Sequence, residues 1–125
     1  NPWQDMGISF KYFFNRKLAF VRASSALVCL PGGFGTLDEL TEALTLVQTG
    51  KARHKTLILV GREFWGGLIE WMRSTLLRDG LIAPGDIDLM QILEEPQEIV
   101  DAIFDAYERE GVAPTQSHRQ QLLTL

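Results

Sequence analysis

The sequence predicts an α/β domain: a parallel sheet with helices on both faces. Segments whose apolar residues recur at three- and four-residue spacing alternate with short, continuous apolar runs. Glycine, proline or serine bounds most of the runs, as in strands buried on both faces. A regular helix–strand alternation of this kind implies parallel pairing, because each strand needs a crossover before the next.

Residues 8–24 read as a helix, with Phe10, Phe13, Phe14, Leu18 and Val21 along one face. Ala26–Leu30 is a short buried strand between Ser24-Ser25 and Pro31-Gly32-Gly33. Thr36–Thr49 is the second helix, with Leu37, Leu40, Leu44 and Val47 on one face and Gly50 as its stop. Thr56–Val60 is a second buried strand, closed by Gly61. Leu68–Asp79 forms a third helix ended by Gly80, with Trp65-Gly66-Gly67 before it read as turn and core, and Trp71 as core. An edge or terminal strand lies within Leu89–Leu93, and Pro96 opens a last helix to about Glu108. Three strands are few for such a sheet, and the chain enters on a helix. The expectation is that residues 1–110 are the C-terminal part of one nucleotide-binding domain truncated at its N-terminus, with 111–125 a flexible tail.

Length and composition agree with a single domain: 125 residues, 46% hydrophobic and 22% charged. One cysteine excludes a disulfide framework, and no apolar run reaches the roughly 18 residues of a membrane span. A cytoplasmic protein without membrane partners is expected. Twelve basic against sixteen acidic residues give a net charge of −4, a poor balance for broad nucleic-acid binding. The charge is uneven, however. Residues 1–62 hold eight basic and four acidic groups, a locally basic half compatible with a small anion.

The strongest local signal is Leu30-Pro31-Gly32-Gly33-Phe34-Gly35-Thr36, between a strand and a helix. Glycines there allow positive φ and close approach of a ligand, and a helix start offers unpaired N–H groups to an anion. The alternative is a tight turn that needs glycine for geometry alone. The loop is neither a P-loop, which would need Gly-Lys-Ser/Thr, nor a dinucleotide fingerprint, since position 38 is aspartate.

Glu39 follows Thr36 by three residues, which fits a capping box. It also fits a carboxylate facing a reaction centre beside a bound phosphate, where it could orient water or stabilise developing positive charge. Lys17 falls in the middle of the aromatic face of segment 8–24, with Arg16 to one side. A lysine so placed snorkels or lines an interface; otherwise this face meets a polar cavity, where Arg16 suits phosphate or carboxylate. His54 and His118 lack partners at metal-ligand spacing, so no metal is expected. Cys29 reads as core, Ser24 and Ser25 lack a nucleophile-elbow context, and Glu94–Glu98 reads as a solvated turn and helix start.

Arg16-Lys17, a short strand, then Pro31-Gly32-Gly33-Phe34-Gly35-Thr36-Leu37-Asp38-Glu39 closely resemble the LOG ("Lonely Guy") family. Its hallmark is Pro-Gly-Gly-x-Gly-Thr-x-x-Glu after an Arg-Lys pair on a helix. The likeness continues through Leu44–Gly50 and Phe64-Trp65-Gly66-Gly67, over roughly residues 7–110. The resemblance implies a Rossmann-like fold, no cofactor, and a homo-oligomer, at least a dimer. It implies hydrolysis of the N-glycosidic bond of a nucleoside 5′-monophosphate, AMP or an N6-substituted (cytokinin) relative, to free base and ribose 5-phosphate. Arg16 and Glu39 take the family's catalytic positions; Lys17, Gly32, Gly33, Gly35 and Thr36 take substrate-binding ones. Phe13-Phe14-Asn15 stands where plant-type members carry Met-His-Glu, which points to the longer bacterial-type branch. A decarboxylase reading has no support, because that chemistry needs pyridoxal phosphate and a Schiff-base lysine in a larger domain. The competing class is a carrier or sensor module that binds a nucleotide without turning it over.

Overall fold

The computed structural model describes residues 7, 9, 11, 12, 17, 19, 24–52 and 55–109. Within them, three parallel strands form one sheet in the order β1-β2-β3. They are β1 (Ala26–Cys29), β2 (Thr56–Val60) and β3 (Met90–Leu93). Register pairs Val28 with Ile58 and Ile58 with Gln91. The expected Rossmann-like α/β architecture is therefore present, and β1 and β3 are its edges among the described residues.

Among the described residues, four α-helices with both bounds described flank the sheet: α1 (Phe34–Gln48), α2 (Arg62–Trp71), α3 (Pro84–Ile87) and α4 (Pro96–Arg109). A π-helical segment, Met72–Leu77, continues α2. The central strand explains why the runs lack polar alternation. Leu57, Ile58 and Leu59 are each 0% exposed, and successive strand residues point to opposite faces, so both faces of β2 are covered. On one face Leu59 and Cys29 pack with Leu40 of α1, Trp65 and Ile69 of α2, and Met72 of the π-helix. Lys55, buried just before β2, donates to the Ser24 carbonyl and ties the start of β1 to that of β2.

Several boundaries differ from expectation. β1 stops at Cys29, and Leu30 stands 62% exposed. The third helix begins at Arg62, six residues early, because Gly66 and Gly67 lie inside it instead of in a turn. The turn is made at Gly61, whose φ of 102° suits glycine. Its N–H donates to the Leu93 carbonyl, and its own carbonyl receives the Trp65 N–H, each at 3.0 Å. Trp65 is core at 1% exposure, but Trp71, expected in the core, is 50% exposed. Beyond residue 71 the α-helical period gives way to the wider π turn, which shifts the buried face. Of segment 8–24, read as one helix, Lys17 and Ala19 are helical, but Ser9 and Ser24 are not and Lys11 and Tyr12 lie in a bend, so the helix does not run over the whole segment. Phe10, Phe13, Phe14, Leu18 and Val21, and the tail from Gly111, lie outside the described residues.

Candidate functional site

The loop leaves the carboxyl end of β1 and enters α1 directly, the place where open α/β sheets receive ligands. A cavity of about 480 Å³ lies there, along β1 and the loop. Leu27–Pro31 form its apolar wall; Lys17, Thr36 and Glu39 supply its polar groups. Lys17, Thr36 and Glu39, all expected at a site, are thus brought together. Arg16 lies outside the described residues.

The glycines act differently from the sequence expectation. None in the loop has positive φ; among the described residues only Gly50, Gly61 and Gly80 do. Gly32 is required by close approach instead. A Cβ there would lie 2.2 Å from Thr36 Oγ1, so the threonine side chain folds over a backbone that must stay bare. At Gly33 and Gly35 a Cβ would meet nothing within 4 Å. Their faces are open, which leaves the backbone accessible to a ligand.

α1 begins two residues before its expected start, with Gly33 as N-cap and Thr36 in its first turn. The Thr36–Glu39 capping box is therefore not formed, and no side chain caps this helix. Its first bond in the helical pattern is from the Leu37 N–H to the Gly33 carbonyl at 3.1 Å. By helix geometry the N–H groups of Phe34, Gly35 and Thr36 have no acceptor within the helix. An uncapped start with its partial positive charge is a receptor for an anion.

Glu39 lies one turn further on. Its Oε2 is buried and has no hydrogen-bond partner among the described residues. A buried carboxylate oxygen left unpaired is costly in a purely structural role. It therefore marks a group kept for something that enters the cavity. Cys29, 5% exposed on the same wall, feels it: burial first, and the Glu39 charge second, push the thiol above its ordinary range. The sulfur is thus a neutral wall, as the core reading had it, and not a nucleophile.

Lys17 reaches the site from the preceding segment. Its Nζ lies 2.7 Å from Asp38 Oδ2 and 2.6 Å from Glu42 Oε2, with the side chain 13% exposed. The hydrogen bond to Asp38 first, then the close contact with Glu42, holds the ammonium above its usual pKa. Sequence reasoning missed this clamp. The signal was there in the four-residue spacing of Asp38 and Glu42, which places both on one helix face.

No group of three or more His, Cys, Asp or Glu that could hold a metal occurs among the described residues, and His54 and His118 lie outside them. No helix among the described residues is long and apolar enough to cross a membrane.

Comparison with known proteins agrees with the motif. A family model described as "possible lysine decarboxylase" matches residues 1–103. The chain is 32% identical over 89 residues to the probable cytokinin riboside 5′-monophosphate phosphoribohydrolase LOGL3 of Oryza sativa subsp. japonica, covering 70% of this chain and 41% of that protein. It is 28% identical over 111 residues to the cytokinin riboside 5′-monophosphate phosphoribohydrolase LOG1 of Arabidopsis thaliana, covering 88% and 52%. With LOG2 of the same plant it shares 33% over 89 residues, covering 64% and 42%. The chain thus spans about half, or less, of the length of these relatives. With the family model matching most of its length and the Pro-Gly-Gly-x-Gly-Thr-x-x-Glu loop set at the carboxyl end of β1, the chain belongs to the LOG family.

Proposed function

We propose that the full-length protein hydrolyses the N-glycosidic bond of a nucleoside 5′-monophosphate, a cytokinin nucleotide or AMP. The products are the free base and ribose 5-phosphate. The carrying observation is the buried Glu39 Oε2, without a hydrogen-bond partner among the described residues, on the wall of a cavity that begins at an uncapped helix start. The names of the relatives support the substrate class.

In this reading the 5′-phosphate takes the open N–H groups of the Gly32–Thr36 loop, which fixes the ribose over the cavity. Glycosidic cleavage develops oxocarbenium-like charge on the ribose. Glu39 stabilises that charge or draws a proton from the attacking water, with no metal in the scheme. Arg16 orients Glu39 or the sugar phosphate. Self-association through the aromatic segment 8–24 completes the reading.

The test is Glu39→Gln in the full-length protein, with ribose 5-phosphate release from AMP as the readout. Turnover should fall by about 10²–10⁴-fold, the usual contribution of a positioned acid–base group. Circular dichroism and Tm should change little, because the side chain caps nothing. Near-wild-type turnover defeats the assignment. Tight AMP binding without turnover in the wild type makes the protein a sensor.

A further inference from the structure

Lys17 stands on the wall of the cavity that holds Glu39, yet its ammonium is already engaged. Asp38 Oδ2 and Glu42 Oε2 take it at 2.7 and 2.6 Å. These carboxylates are four residues apart on one face of α1, and Glu39 sits about 100° round the helix from Asp38. One cation therefore grips the two carboxylates that bracket Glu39. The Lys17 and Glu42 side chains are 13% and 19% exposed, so that pair is shielded from water, whereas the Asp38 side chain is 57% exposed and its pair with Lys17 is screened.

The placement has two consequences. First, an ammonium shared by two carboxylates has little charge left for a phosphate. Second, without it Asp38 and Glu42 would stand as two uncompensated negative charges beside Glu39 and near the start of α1. Among the described residues, the charged and titratable groups around Glu39 are Asp38 and Glu42 on its own helix, Lys17 from the preceding segment, and the Cys29 thiol from β1; Arg16 lies outside them. The geometry points to Lys17 as a positioning residue for Glu39, not a substrate ligand: it pins α1 and neutralises the charges that flank Glu39. This inference rests on the reading of Glu39 as the catalytic carboxylate.

The experiment uses the full-length protein with AMP, comparing Lys17→Met alone with Lys17→Met combined with Asp38→Asn and Glu42→Gln. Lys17→Met should lower kcat by about 10–100-fold, the scale of an ångström-size misplacement. KM should stay within about threefold, as for a group that does not touch substrate. The combined variant should recover most of the lost kcat, because its two amides need no cation. A rise in KM of about tenfold or more, unrelieved in the combined variant, overturns the proposal and makes Lys17 a phosphate ligand. A second measurement needs no turnover: calorimetry of AMP binding. Kd should stay within about threefold in Lys17→Met and in the combined variant, as for a group that does not touch the nucleotide. A Kd weakened about tenfold or more in Lys17→Met, the scale of a lost charge-assisted hydrogen bond, and unrelieved in the combined variant overturns the proposal. Absence of turnover in the wild type would defeat the functional reading alone, leaving this affinity to decide the role of Lys17.

Discussion

The start of α1 and the starts of the other three helices are built by opposite rules. In α4 the third helical residue, Glu98, reaches back to the backbone N–H groups of Glu94 and Glu95, at 3.3 Å each. In α3 the third residue, Asp86, accepts the Ala83 N–H at 2.7 Å and also binds the Gln48 amide at 2.6 Å. For α2 the carboxylate comes from the end of β3: Glu94 Oε1 accepts the Arg62 N–H at 2.6 Å. Each device pairs orphan donors at or just before a helix start and sets negative charge against the positive end of the dipole. In α1 the third residue is Thr36, the N-cap is Gly33, and no side chain caps. The scaffold helices are thus closed by carboxylates, and the site helix is left open. A helix start without its own carboxylate is free to take an anion from a ligand.

The comparison can be broken by closing the open helix. Gly33→Asp places a carboxylate at the N-cap of α1, where a Cβ meets nothing within 4 Å. Stability should hold or rise by a few tenths of a kcal/mol. AMP affinity by calorimetry should fall at least about tenfold, the low end of what facing like charges cost. An unchanged affinity would mean that the phosphate binds elsewhere.

The converse change opens a closed helix. Glu94→Ala removes the acceptor of the Arg62 N–H and should cost about 1 kcal/mol of stability by denaturant unfolding, the usual value of a lost cap. AMP affinity should not change, because Glu94 serves only the scaffold. A loss of affinity larger than the loss of stability would merge the two regions.

The smallest effect sharpens the site side. Burial chiefly, and the Glu39 charge secondarily, raise the Cys29 thiol. Removing that charge in Glu39→Gln favours the thiolate, so the thiol pKa must fall, though less than burial raised it. Alkylation at a fixed pH just below the thiol pKa should then quicken by a few-fold at most. No change would place the Glu39 carboxylate away from Cys29 and out of the cavity.

The legible parts of this protein are those carried by local pattern. Thr56–Val60 could be read as a buried strand because a strand covered on both faces has no polar alternation to hide it. Ala26–Leu30, read the same way, forms a strand but not a buried one, since β1 is an edge among the described residues and Val28 is 38% exposed. The glycine loop could be read because three glycines in four positions fit few local geometries. The parallel order followed, since strands separated by helices have few other ways to pair. The helix from Pro96 was equally plain, and Glu94–Glu98, read as a solvated turn and helix start, does begin that helix while its Glu94 and Glu98 carboxylates also cap two helix starts.

What only the tertiary structure decided depends on groups far apart in the chain. Thr36 and Glu39 satisfy a capping box on paper, but the helix starts at Phe34, so the box has no helix end to close. Gly66 and Gly67 read as a turn, yet Trp65 and Ile69 bury against the sheet and carry the helix through both. Lys17 reads as an intruder on an apolar face until Asp38 and Glu42, more than twenty residues on, are brought to its ammonium. The sequence by itself determined the alternation, the parallel sheet and the place of the loop, because those follow from periodicity and backbone sterics. The bare start of α1, the unpaired oxygen of Glu39 and the clamp of Lys17 were decided only by folding, because burial and charge pairing belong to neighbours in space, not in sequence.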